Sequence, residues 1–182
     1  MISEFSARVK PTNKKARTVV NVSLLSSLLC LVCYMLVDKY RGFVGLGIVG
    51  FIATAVFFYT KYMAVEYLYD ITFDGEQNPL FVIRQRIGKR YSTLCRIDLW
   101  SLKKVEKKSR EEMKGYRADS GVVKYVYSPT FMPDSVHLLT VRSHSEHADI
   151  IIEAPDEFAE YLRAAAKEAS EYKQIADEED EY

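Results

Sequence analysis

The sequence predicts a hairpin of two membrane-spanning helices followed by a mainly-β domain that ends in an amphipathic helix. Three observations predict it. Residues 18–37 and 42–60 are uncharged apolar runs of about 20 residues each, separated by Asp38-Lys39-Tyr40-Arg41. Residues 65–154 then break into short apolar runs rich in β-branched and aromatic side chains, with turn residues between them. After Pro155-Asp156, the residues Phe158, Tyr161, Leu162, Ala165, Ala169 and Tyr172 keep the i, i+3, i+4, i+7 rhythm of a helix with one apolar face.

The apolar runs come first because they fix the solvent. At 1.5 Å per residue each covers roughly 30 Å, the thickness of a bilayer's hydrocarbon core. Neither a buried core helix nor a cleaved leader fits: two such runs are too much for one small core, and no small-residue cleavage site follows the first. The spans are set at 18–37 and 42–62, within a hairpin segment of 18–64. The preceding segment, 1–17, carries Arg8, Lys10, Lys14, Lys15 and Arg17, whereas the turn holds only Lys39 and Arg41. The excess of Lys and Arg beside the first span predicts a multi-pass membrane protein with both termini cytoplasmic. Tyr34, Tyr40, Tyr59 and Tyr62 fall where interfacial aromatic belts belong.

Small residues at helical spacing predict how the spans pack. Ser23, Ser27 and Cys30 share a face of the first, and Gly47, Gly50 and Thr54 a face of the second. Antiparallel register pairs Cys30 with Gly50 and Ser27 with Thr54. Cys30 and Cys33 form a C-x-x-C, but inside lipid and without a second ligand pair it reads as packing. Cys95 is expected to be a reduced, buried thiol in a strand.

The remaining elements follow in order. Val65–Phe73 reads as a strand, bounded by the turn Asp74-Gly75-Glu76-Gln77-Asn78-Pro79. Residues 80–87 and 91–99 flank Gly88-Lys89-Arg90 as a hairpin. Residues 100–107 read as a further short strand, their Lys and Glu content being compatible with helix as well. Residues 109–121 are polar and loop-like, and three apolar runs follow at 122–127, 136–142 and 149–154. The β-rich domain is set at 65–172, and 173–182 as an acidic, disordered tail.

About seven strands and a closing helix, in this order, resemble the pleckstrin-homology-like (PH-like) fold, and more narrowly the bacterial membrane-anchored PH-like proteins. The resemblance rests on FVIRQRIGKRYSTLCRIDL, on LWSLKKVEK and on IIIEAPDEFAEYLRAA with its strand–Pro–Asp–helix pattern. It implies a seven-stranded barrel capped by the helix and acting as an interaction module at the cell (inner) membrane. Lipid-binding members of the wider fold place a Lys on the first strand and a basic-x-Arg on the second. Arg84-Gln85-Arg86 meets the second condition, but VEYLYDITF has Glu66 and Asp70 and no Lys. Arg84 and Arg86 are therefore expected on a solvated face, paired with Asp98 or Glu106.

The candidate sites concern recognition. Charge is balanced at 25 basic and 25 acidic residues, which argues against a nucleic-acid partner. Arg8, Lys10, Lys14, Lys15 and Arg17, and separately Lys103, Lys104, Lys107 and Lys108, offer contact to anionic lipid headgroups. For the second group the competing reading is a solubilising surface partly neutralised by Glu106, Glu111 and Glu112. Tyr125, Tyr127, Phe131 and Met132, in a proline-bounded aromatic stretch, offer a protein-docking surface, set against ordinary core packing. His144 and His147 give an H-x-x-H with Asp149 beyond, too few ligands for a metal centre. No Walker loop, G-x-S-x-G or H-E-x-x-H occurs. The expectation is thus a non-catalytic scaffold or accessory subunit, without cofactor, contacting the bilayer and a protein partner. A membrane-surface lipid reader is the alternative, and self-association stays open.

Overall fold

The computed structural model describes residues 2–10, 13–36, 38–75, 77–143 and 147–179. They form two compact units. One holds the two long helices and Pro129–Phe131; the other holds the β-rich remainder.

In the helical unit, α1 (Lys14–Leu36) and α2 (Arg41–Tyr62) are joined by the single short turn Asp38–Tyr40. Both are long and apolar enough to cross a membrane. Their outward surface is apolar: Leu36 is 77% exposed and Phe43 79%. The inward face of α1 carries Ala16, Val20, Ser23 and Ser27, a small-residue seam that admits close approach. The register differs from the expectation. A Cβ on Gly47 would lie 3.6 Å from the Cys30 sulfur, whereas one on Gly50 would meet nothing within 4 Å. Cys30 thus faces Gly47, about one turn from the expected Gly50. Gly50 and Thr54 face outward, Thr54 returning its hydroxyl to the Gly50 carbonyl at 2.9 Å. Small size does not fix a packing face. The bulkier Ala55 is the buried residue of α2, because it lies on the stripe that meets α1.

At the foot of the same unit Asn13 acts as a clamp. Its amide donates to the carbonyls of Tyr62 (2.5 Å) and Pro129 (2.8 Å) and accepts from the Phe131 N–H (2.7 Å). The Phe131 ring packs edge-on against Phe58 and Tyr62, with centroids 5.0 and 5.2 Å away.

The β-rich unit contains two four-stranded sheets. The first runs β1 (Phe5–Val9), β2 (Val65–Phe73), β3 (Pro79–Ile87), β4 (Arg90–Asp98), in that spatial order. The β3–β4 hairpin is the one expected, and its turn needs Gly88 because φ there is +61°. The second sheet uses β5 (Leu102–Ser109), β6 (Val123–Tyr127), β7 (Ser135–Arg142) and β8 (His147–Ile152), in the order β5-β7-β8-β6. Between β5 and β6 lies a short helix α3 (Arg110–Gly115), and the chain ends in α4 (Asp156–Glu179).

The core lies between the sheets and under α4. Phe81, Ile83, Leu99, Leu139, Ile150 and Ile152 are fully enclosed, and α4 adds Phe158, Leu162 and Ala166. Tyr69 keys the sheets together: its hydroxyl donates to the Tyr127 carbonyl at 2.6 Å and accepts from the Glu153 N–H at 3.3 Å. Burial raises its pKa far above the ordinary phenol value, so it acts as a fixed donor.

Several expectations are corrected. The basic N-terminal segment contains a strand, β1, antiparallel to β2. Its alternating Phe5, Ala7 and Val9 carried the period-2 signal, and Phe5 stacks on Phe158 at 5.7 Å. The polar stretch at 109–121 contains α3, started by a capping box in which Ser109 and Glu112 satisfy each other's backbone. The strands do not form a continuous meander: β6 pairs in parallel with β8, beyond it in the sheet. No closed barrel forms among the described residues. The closing helix passes Tyr172 and runs to Glu179, since neither Gly nor Pro follows Pro155 to stop it. Tyr172 is exposed, outside the apolar face. Cys95 is half-buried, not fully buried.

Candidate functional site

The most distinctive surface is the outer edge of the second sheet. Beyond β8, β6 is the last strand, and its far side meets no further strand among the described residues. Val123, Tyr125 and Val126 are exposed by 53%, 43% and 58%. Tyr125 and Tyr127 stack nearly parallel, centroids 6.1 Å apart, and Tyr67 adds a third ring 6.4 Å from Tyr127. A short apolar strand with one unpaired edge can accept an extended segment of another chain.

The expected docking residues therefore separate. Tyr125 and Tyr127 lie on β6, where Tyr127 is half-buried and tied to Tyr69 through its carbonyl. Phe131 is not on such a surface, being packed with Phe58 and Tyr62 in the helical unit. Met132 is exposed at φ +57°, its sulfur accepting from Arg110 at 3.3 Å.

The basic residues separate too. Arg8 sits on β1 and is bound by Glu66, at 3.0 Å from Nε and 2.5 Å from Nη2. That partner holds the Glu66 carboxyl below its ordinary pKa. Lys10 follows β1, while Lys14, Lys15 and Arg17 are exposed on the first turns of α1. Arg84 and Arg86 pair with Asp70 (3.2 Å) and Glu66 (3.5 Å), not with Asp98 or Glu106. The acidic residues that spoil a phosphate site on β2 are thus the ones that hold these arginines. Burial keeps the Asp70 pKa above its ordinary value, with Arg84 acting against it.

Lys103, Lys104, Lys107 and Lys108 lie along β5, at the opposite edge of the sheet from β6. Glu106 bridges Lys104 (2.6 Å) and Lys108 (3.4 Å). Lys107 reaches Asp156 at the start of α4 (2.6 Å). His137, buried on β7, approaches the other oxygen of Asp156 at 3.3 Å. Burial lowers the His137 pKa, more than Asp156 raises it.

A buried polar network lies at the middle of the second sheet, and sequence reasoning missed it. Asp149, fully enclosed on β8, accepts from the Tyr116 hydroxyl and from Arg142 Nη1 at 3.2 Å. Burial and the Asp149 carboxylate push the Tyr116 phenol up to about 12. A charge inside an apolar run was the available signal, since a buried carboxylate demands a partner. Arg142 Nη1 also donates to the Val141 and Ala148 carbonyls at 2.8 and 3.2 Å, and Lys124 covers the Tyr116 ring at 5.0 Å. Of the H-x-x-H, His147 is exposed and residue 144 lies outside the described residues. Among the described residues no group of three metal-ligating side chains comes together.

No protein-family model, curated protein sequence or solved structure matches this chain.

Proposed function

We propose that the chain is a membrane-tethered, non-catalytic interaction module. The α1–α2 hairpin spans the bilayer with both termini cytoplasmic, and the β-rich unit binds an extended segment of a partner protein along β6. The observation that carries this reading is the exposed Val123-Tyr125-Val126 edge, apolar and with no further strand on its outer side among the described residues. The apolar outer surface of the helices and the basic residues before α1 support the tether. The β-rich unit is read as an opened relative of the PH-like fold. Strands β2–β8 followed by a helix keep its element order, while the transfer of β6 to the far edge departs from it.

The test is site-specific photo-crosslinking of the full chain in its native membrane. A crosslinker at Val126 is expected to give one discrete adduct, absent when it is placed at Arg90, the first residue of β4. An adduct of twice the chain's mass identifies a second copy as the partner. Equal labelling at both positions, or none at Val126, overturns the docking edge. Alkaline extraction that strips the chain from the membrane overturns the tether.

A further inference from the structure

At the other edge of the sheet, β5 and α4 enclose an open groove of about 640 Å³. Its floor is apolar and fixed, with Val105 and Ala166 both buried. Its walls are cationic from two directions. Lys103, Lys104, Lys107 and Lys108 come from β5, and Arg163 and Lys167 from α4, against one lining carboxylate, Glu106. Asp156 and Glu171 flank it, taking Lys107 at 2.6 Å and Lys167 at 3.8 Å, and still leave the positive charges in excess. In a chain of zero formal net charge this is a local concentration.

The groove also has the rigidity that a surface cluster lacks. Arg163 is pinned by donating to the Val105 carbonyl at 2.7 Å, which ties α4 to the strand. Ser170 and Gln174 add polar atoms along the α4 wall. Next to Lys103 of the lining stands Trp100, the only tryptophan, whose carbonyl accepts from that lysine at 3.3 Å and whose ring lies under Lys173.

We propose that this groove binds a phosphate group, taken from a phospholipid headgroup or from a soluble phosphorylated molecule. Several cations converging from a strand and a helix match a multiply charged oxyanion, and Arg163 and Lys167 supply the helix side. The proposal is independent of the β6 edge, which lies across the sheet.

Trp100 provides the readout. The full chain is placed in nanodiscs of neutral phosphatidylcholine and titrated with inorganic pyrophosphate. In parallel it is placed in nanodiscs containing phosphatidylglycerol. A saturable change of Trp100 fluorescence with pyrophosphate supports a soluble source; a change with the anionic lipid alone supports the headgroup. In either arm the double variant Lys103→Glu, Lys167→Glu is expected to weaken the response at least about tenfold. The variant Lys89→Glu, Arg90→Glu, at the β3–β4 turn and the first residue of β4, is expected to keep it. Circular dichroism establishes that both variants are folded. No fluorescence response in either arm, or equal loss in the two variants, overturns the site.

Discussion

The two edges of the second sheet solve one problem in opposite ways. An edge strand offers unpaired backbone groups to any passing chain. At β5 the sequence LKKVEKKS places charge at most positions, and Arg163 from α4 takes the Val105 carbonyl. At β6 the sequence VKYVY leaves two valines and a tyrosine in the open, with Lys124 drawn over the Tyr116 ring. One edge is guarded by lysines and a helix; at the other, among the described residues, only the Tyr127 carbonyl is taken, by the Tyr69 hydroxyl. The difference teaches that exposure at β6 is not a general failing of this small domain, because the same sheet protects its other side.

The contrast breaks most visibly if α4 is detached. Phe158 is fully buried among Phe5, Tyr69 and Phe81, with ring centroids 5.7 to 6.2 Å away. Phe158→Ala is expected to cost about 3–5 kcal/mol. Chemical denaturation of the detergent-solubilised chain measures it, and a loss below about 1 kcal/mol would mean that α4 is not the cover of the core. The next effect is at the joint between the sheets. Tyr69→Phe leaves the Tyr127 carbonyl and the Glu153 N–H without their shared hydroxyl, at a cost of about 1–3 kcal/mol. Hydrogen exchange at Glu153 should speed up in that variant, and unchanged exchange would show that the joint is carried by packing alone.

How far this contrast was legible in the sequence depends on whether the cause is local. The helical hairpin, the β3–β4 turn at Gly88 and the start of α4 at Asp156 follow from local chemistry, and the structure places them there. The Phe5-Ala7-Val9 alternation and the Ser109–Glu112 capping box are also local, but neighbouring charge hides them. The position of β6 was of another kind. Nothing in VKYVY distinguishes a parallel partner from an antiparallel one, so its place at the far edge came only from the tertiary pairing with β8. The same holds for the groove. Arg163 and Lys167 read as the solvated face of a helix until β5 is set against them.

A smaller effect sharpens the comparison through pH. His137 pairs with Lys107 of β5 in the sheet register and meets Asp156 of α4, so it belongs to the guarded edge. Burial depresses its folded-state pKa below the ordinary 6.5. The unfolded chain then binds the proton first, and stability present above pH 6.5 is lost as pH falls from there through the folded value. The depressed carboxylates Asp156 and Glu106 act in the same direction, in the lower window beneath their ordinary values of 3.8 and 4.5. His137→Gln should remove the loss in the upper window and leave the lower one. A slope that persists between pH 6.5 and 5 in the variant would assign it to another group.

The smallest expected change in stability is at β6, and its smallness is what makes it informative. Val126 is 58% exposed, so Val126→Asp removes little buried surface and should shift stability by no more than about 0.5 kcal/mol. If the edge is a docking strand, the same substitution should abolish the crosslinked adduct formed from Tyr125, because a charge must be desolvated where an apolar partner would sit. If the edge is merely unguarded, the variant should lower self-association at high concentration and leave any partner's binding unchanged. Placing Lys104→Glu beside it gives the reciprocal control, since β5 already carries charge and should be indifferent to the docking assay. Loss of the adduct in the β6 variant alone would show that the sheet keeps one edge closed and one open for use; loss in both would remove the distinction between them.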